Sequence, residues 1–327
     1  MSKRPFLILL LILLLSFIVS IFIGRYPQPY VMTPATLRSD PLAAQLVWNL
    51  RIPRLLTAVL VGVALSVSGL TMQMLFRNPL VGPGFLGVMQ GAAFGATLAI
   101  LYLGASTLGV QASAIVFAMS GLALTYAISQ KLRYGGWILR MVLAGIAVSA
   151  LFTAGVGLFK YLADPLTQLP EITFWLLGGL WSTRWVNFLL ILPVTLAAII
   201  VLYLARWRLN VLSMDEEIAF SLGAAPGRER LLFLFLAVSA TAAVVSLAGM
   251  VGWVGLIIPH LSRRFFSADA RYALPGTILF GGLFVLLCDD LARTLSPGEI
   301  PLGILTSLLG AAAFLILMST KKLESLP

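Results

Sequence analysis

The sequence predicts an all-α, polytopic membrane protein of about ten transmembrane helices, on three observations. Of 327 residues, 60% are hydrophobic and only 10% are charged, where a soluble domain carries about 25% charge. Mean hydropathy is +1.02, which is more apolar surface than one or two soluble cores can cover. Apolar runs long enough to cross lipid, about 20 residues each, recur along nearly the whole chain. They leave no room for a separate soluble catalytic domain.

The first run, 6–24, follows Lys3 and Arg4. It is longer than the core of a signal peptide and lacks a small-x-small cleavage site, so it reads as a retained first span. Residues 25–50 are polar and rich in proline (Pro27, Pro29, Pro34, Pro41) and form an external connection with a short helix at 41–50. Spans follow at 53–75, 86–104, 112–130, 141–162 and 187–205, then at 231–249, 251–263, 275–291 and 301–318, all in one domain, 1–327. The segment 251–263 is short and holds Pro259, His260, Arg263 and, just beyond it, Arg264. It must be broken or buried in protein, because free backbone is tolerated at that depth only away from lipid. Residues 171–181 are apolar but too short to span, and suit a re-entrant or interfacial helix.

Ten spans put both ends on one side. With the N-terminus inside, the external cations are Arg25, Arg38, Arg51, Arg54, Lys160, Arg184 and Arg293, which leaves 15 of the 22 inside. The positive-inside rule then makes both termini cytoplasmic. It also accounts for the net charge of +10 without any nucleic-acid partner.

Catalytic and metal chemistry find little material here. Cys288 is the one cysteine, so no internal disulfide forms. His260 is the one histidine and cannot build a multi-histidine site alone. At a helix break it reads as a structural residue bonded to neighbouring backbone. Patterns for a phosphate-binding loop, a serine-hydrolase elbow or a zinc protease are all missing. No catalytic and no metal-ligating residues are expected.

Several spans are rich in small residues: Gly62, Ala64, Ser66, Ser68 and Gly69 in the second, Gly145, Ala147, Ser149 and Ala150 in the fifth. Small residues let helices approach closely in lipid, so this set describes a compact bundle. Residues 60–79, ending in Arg77-Asn78-Pro79, echo 240–260, ending in Ile258-Pro259-His260. The two run in opposite directions, as in an inverted repeat.

A set of motifs then falls into one order. It begins with Arg51-Ile52-Pro53-Arg54, Gly62 to Gln73, Arg77-Asn78-Pro79-Leu80 and Pro83-Gly84-Phe85-Leu86-Gly87. It continues with Leu143-Ala144-Gly145, Trp175-Leu176-Leu177-Gly178-Gly179, Ala219-Phe220-Ser221-Leu222-Gly223 and the run from Gly252 to His260. It closes with Asp289-Asp290-Leu291-Ala292-Arg293 and Glu299-Ile300-Pro301-Leu302-Gly303. In these the chain resembles the iron-siderophore, haem and cobalamin permeases of bacterial ABC importers, the FecCD type with the type II importer fold.

The resemblance implies a permease bundle in the cytoplasmic (inner) membrane of a bacterium or archaeon. It implies a second permease subunit, an identical one before a merely similar one. It also implies two cytoplasmic ABC ATPase subunits and a periplasmic or lipoprotein substrate-binding protein. The chain itself would bind no cofactor, with ATP and magnesium held by the ATPase. Iron chelates are the family's commonest cargo, ahead of haem, cobalamin or an oxyanion such as molybdate.

The same resemblance assigns roles by position. Arg51, Arg54 and Arg293 would grip acidic residues on the binding protein, where charge pairs at a rim give register and steering; on the residues alone they read as helix-end snorkelling. In the loop 206–230, Ala219, Phe220, Ser221, Leu222 and Gly223 would form the helix that couples to the ATPase, with Gly223 as its cap. Ile138, Leu139 and Arg140 would stand at the cytoplasmic exit, bulky where the cobalamin relative has small hydroxyl residues. Gly145 and Ser149 would line the pathway. The competing class is a secondary transporter whose coupling carboxylate is Asp289 or Asp290, since intramembrane acids are usually functional.

Overall fold

The structure is a computed structural model that describes residues 4–26, 30–296 and 298–319. Lys3, Pro27, Pro29, Lys321 and Lys322 lie outside them. Among the described residues, the regular structure is helical apart from one isolated bridge between Ile23 and Val31. In order, the helices are α1 (Arg4–Phe22), α2 (Pro34–Ser39), α3 (Pro41–Leu46), α4 (Ile52–Leu75), α5 (Val88–Tyr102), α6 (Thr107–Lys131), α7 (Trp137–Leu162) and α8 (Gln168–Leu177). Then come α9 (Trp185–Leu204), α10 (Arg206–Leu212), α11 (Glu216–Ser221), α12 (Pro226–Ala248), α13 (Val254–Phe265), α14 (Ala270–Thr294) and α15 (Leu302–Ser319).

Among the described residues, eight helices, not ten, are long and apolar enough to cross a membrane. The expected spans 86–104 and 251–263 fall on α5 and α13, which have 15 and 12 residues. The reasons are local. The residues before α5 are spent on a turn that ends at Gly87 in the left-handed region, φ 74°. Before α13, Gly249 (φ 67°) ends α12 and Trp253 (φ 67°) starts the next helix, so 249–253 crosses as non-helical backbone. Such backbone survives because protein covers it. A Cβ on Gly249 would meet the Trp175 carbonyl oxygen at 2.3 Å, and one on Gly303 would meet the Leu177 and Met250 oxygens at 2.4 and 2.6 Å. The Gly179 amide donates to the Ala248 carbonyl at 2.8 Å. The Trp175-to-Gly179 motif, the 249–253 break and the start of α15 are thus one junction. The expected short helix at 171–181 is α8, which delivers the chain to it.

α4 is the hub. It packs on α14 most extensively, then on α12, α13 and α9. Its small residues allow this. A Cβ on Gly62 would lie 2.0 Å from the Gly281 oxygen, and one on Gly69 would lie 1.9 Å from the Gly255 oxygen. Between them Ser68 Oγ donates to the Ala237 carbonyl on α12 at 2.8 Å. A second close set joins α5 and α6, where Gly91 and Gly95 face the Phe117 and Ser113 oxygens. In contrast, α1 touches the bundle mainly through α14. The π-helical turn Val47–Arg51 runs α3 into α4 without a break, which sets Arg51 and Arg54 at the head of the hub.

Candidate functional site

Arginines and acids converge at the head of α4. Arg51 and Arg54 come from α4 and the turn before it, Asp289, Asp290 and Arg293 from the last turns of α14, Glu299 from the segment after it, and Arg25 from the segment after α1. Arg54 makes a bidentate contact with Asp289 (Nη2 to Oδ1 2.9 Å and Nε to Oδ2 3.2 Å). Its Nη1 donates to Glu299 at 2.9–3.0 Å. Arg293 reaches Asp289 at 3.1 Å, pairs with Asp290 and donates to the Ile23 carbonyl at 3.0 Å. Asp290 also accepts from Ser20 Oγ at 2.5 Å. Asp289 is fully buried. Bidentate charge-assisted pairs of this kind suit a desolvated cluster.

Arg51 differs from its neighbours. It donates to the carbonyl oxygens of Ile21 (2.9 Å) and Tyr26 (2.5 Å), and among the described residues it pairs with no acid. Arg25, Arg51, Arg54, Arg293 and Glu299 line one cleft of about 240 Å³, closed on the far side by Leu180, Trp181 and Thr183. The three arginines singled out from sequence therefore come together. They form the walls of a cleft and do not project from a rim: Arg51 is 8% exposed and Arg293 5%. Arg25, Asp289 and Glu299 complete the set. From sequence Asp289 reads as a candidate coupling carboxylate, and nothing in the sequence brings residue 54 to residue 289.

The opposite end of α4 holds a second set. Arg77 adopts φ 49°. This left-handed turn aims its guanidinium at Asp215 (2.5 Å) and at the Met214 carbonyl. The short α11 begins there. Ala219 is buried, whereas Ile218, Phe220 and Leu222 are 49%, 73% and 54% exposed. Gly223 has φ 75° and ends the helix as the sequence predicts, with Gly223 N–H donating to Phe220 O (2.9 Å) and Ala224 N–H to Ala219 O (3.0 Å). That is the Schellman pattern. Ser221 Oγ turns back to the Ile218 carbonyl. The result is a capped, apolar knuckle with acids Glu216 and Glu217 at its start.

Of the residues expected along the pathway, Ile138 and Arg140 are half-buried and Leu139 is 40% exposed at the start of α7. Arg140 Nη1 donates to the Leu132 carbonyl at 3.3 Å. Gly145 faces inward, since a Cβ there would meet the Phe85 oxygen at 2.8 Å. Ser149 is half-buried beside it. The uncovered side of α7 carries Leu143, Ile146, Leu151 and Leu158 instead, and no charge lies between Arg140 and Lys160. His260 is half-buried on α13, and Cys288 is buried. Among the described residues no group of three histidine, cysteine or acidic side chains is placed to hold a metal.

The FecCD transport family model matches residues 11–320. The chain belongs to the FecCD transport family. The molybdate import system permease protein MolB of Haemophilus influenzae is 43% identical over 318 residues, covering 95% of this chain and 94% of that one. The hemin transport system permease protein HmuU of Yersinia pestis is 39% identical over 277 residues, covering 83% of each. A solved structure described as an inward-facing conformation of a metal-chelate type ABC transporter superposes with a TM-score of 0.89 at 40% identity, covering 97% of this chain and 99% of that one. The fold is that of a type II importer permease. The chain is the membrane permease subunit of an ABC importer in the inner membrane; it is not the catalytic subunit, and ATP hydrolysis belongs to a partner. Ion-coupled transport through Asp289 or Asp290 gives way to this class, and both carboxylates are held by arginine.

Proposed function

We propose that this permease imports a metal chelate, an iron-siderophore type before haem or cobalamin. The carrying observation is the uncharged open side of α7 in a chain that matches a metal-chelate type transporter over nearly its full length. A wall without charges passes a bulky, self-shielded complex and holds none of its forms tightly, as conduction requires. The 43% identity to MolB favours molybdate as a second reading. All ten helical segments cross, with α5 and α13 shielded by their neighbours, and both termini face the cytoplasm.

Two copies of the chain would set their α7 faces about a shared path, with Leu143 and Ile146 lining it and Ile138, Leu139 and Arg140 at the exit. The binding protein would present carboxylates to the arginine cleft, where Arg51 pairs with no acid among the described residues. The knuckle of Ala219, Phe220, Ser221, Leu222 and Gly223 would seat in an ATPase subunit, as an apolar stripe with charged flanks seats in a groove.

The test is uptake into vesicles that hold this permease and its ATPase, with the binding protein outside and ATP inside. Radiolabelled ferric siderophore and molybdate serve as alternative cargoes. Accumulation of the siderophore that needs internal ATP and survives ionophores is expected. Accumulation of molybdate alone would replace the chelate reading with the oxyanion one. Uptake driven by an ion gradient without ATPase would overturn the importer reading.

A further inference from the structure

We propose that Arg230 is the positioning residue that transmits movement of the α11 knuckle to the exit-loop end of α7. The proposal rests on the coupling role assigned above to α11. Arg230 lies in the first turns of α12 and is only 3% exposed. Its Nη1 faces Glu216 Oε2 at 3.4 Å, at the start of α11. Its guanidinium carbon sits 5.2 Å from the ring centroid of Trp137, the first residue of α7. Trp137 in turn stacks on Phe76, with centroids 5.2 Å apart and planes at 24°. Phe76 is the C-terminal cap of α4. Its chain neighbour Arg77 returns to Asp215, the residue beside Glu216. The contacts close a ring: knuckle, Arg230, Trp137, Phe76, Arg77, knuckle.

The chemistry of the ring makes Arg230 sensitive to where α11 sits. A buried guanidinium needs its charge answered. Here Nε has no hydrogen-bond partner, the single carboxylate stands at the long end of hydrogen-bond range, and the remaining support is the face of an indole. Glu216 is 67% exposed on its side chain and moves with the knuckle. Bringing it closer strengthens the ion pair and draws the guanidinium off Trp137. Withdrawing it leaves the ring as the cation's main partner. Two discrete arrangements of one buried side chain thus follow two positions of α11, which is what a coupling element requires. Arginine suits this post because its planar head pairs with a carboxylate and stacks flat on an aromatic face at once; lysine, a compact point charge, is poorly shaped to do both together.

A nitroxide on Tyr134→Cys reads the loop before α7. Tyr134 is 81% exposed, and the buried native Cys288 stays unlabelled. In the assembled transporter with its ATPase, a non-hydrolysable ATP analogue is expected to change the spectrum of this label. Arg230→Lys and Trp137→Leu should each reduce that response about fivefold or more, the lower end of ordinary coupling energies, while ATP hydrolysis and the melting temperature hold. Trp137→Phe keeps an aromatic face and should restore the response. Glu216→Gln, at an exposed position that does not threaten folding, should weaken it as well. A full response in Arg230→Lys and Glu216→Gln would overturn the proposal. So would a loss of response, hydrolysis and melting temperature together, because that marks damage to the fold. If the unsubstituted chain binds the ATPase yet its label ignores nucleotide, the coupling reading itself falls and takes the proposal with it.

Discussion

Arg51 and Arg54 stand about one helical turn apart at the head of α4, yet they live in different electrostatic company. Arg54 closes on two acids, so removing it strands the buried Asp289 beside Arg293. Breaking a buried pair from one side costs about 3–5 kcal/mol. Among the described residues, Arg51 leans on carbonyl oxygens. Arg54→Ala is therefore expected to lower the melting temperature and the yield of folded protein, whereas Arg51→Glu should remain folded and lose binding-protein affinity. Thermal melts beside a binding assay at low and high salt separate the two; equal melting losses would refute the distinction. A second residue-scale case is Asp269, which caps α14 at the other end of the bundle. Arg271 donates to it from its side chain (2.6 and 2.8 Å) and backbone (2.8 Å), and Asn210 adds a fourth bond at 2.7 Å. These bonds, led by the Arg271 side chain, hold its carboxyl at about 2, below the ordinary carboxylate value. A lowered folded-state pKa adds stability above the ordinary value and loses it as pH falls toward the lowered one. The cap should thus be intact at pH 5 and fail between about pH 4 and pH 2. Amide exchange at the start of α14 should rise across that window in the parent protein. In Asp269→Ala it should already be high at pH 5, for a cost of about 1 kcal/mol.

At the scale of elements, the crossing of α4 with α13 and α14 depends on hydrogen atoms where other residues carry carbon. Gly69→Ala would place a methyl 1.9 Å from the Gly255 carbonyl oxygen. Backbone on both sides cannot yield cheaply, and overpacking of this kind costs about 1–3 kcal/mol. Gly157→Ala, on the uncovered side of α7 with nothing within 4 Å, is the matched control and should hold or slightly raise the melting temperature, because alanine favours a helix over glycine. Parallel melts of the two variants in detergent decide it; no loss in Gly69→Ala would mean that the helices are free to separate. The small-residue run from Gly62 to Gly69 announced this crossing in the sequence, and hydropathy placed α4, α6, α7, α9 and α12 within a few residues. Hydropathy overcounted the long helices because it measures apolarity and not backbone continuity. The apolar residues 249–253 score like a helix while Gly249 and Trp253, both at positive φ, turn the chain. The smallness of Gly145 has a packing use of its own, since a Cβ there would meet the Phe85 oxygen at 2.8 Å.

For the whole molecule, the two residue sets lie at opposite ends of one central helix. The arginine cleft caps one end of α4, and the Arg77–Asp215 pair anchors the other. The sequence displayed the cations of both ends plainly. Their partners were hidden, because Arg54 and Glu299, or Phe76 and Trp137, meet only when distant segments pack. The cleft also has a bearing on how the protein is made. Ser20, Ile21, Ile23 and Arg25 bond to Arg51, Asp290, Arg293 and Ser296. Asp289 and Glu299, which neutralise Arg54, follow it in the chain by 235 and 245 residues. During synthesis Arg54 must therefore wait without these acids until α14 and the segment after it have been made. A chain halted before residue 289 lacks both of them.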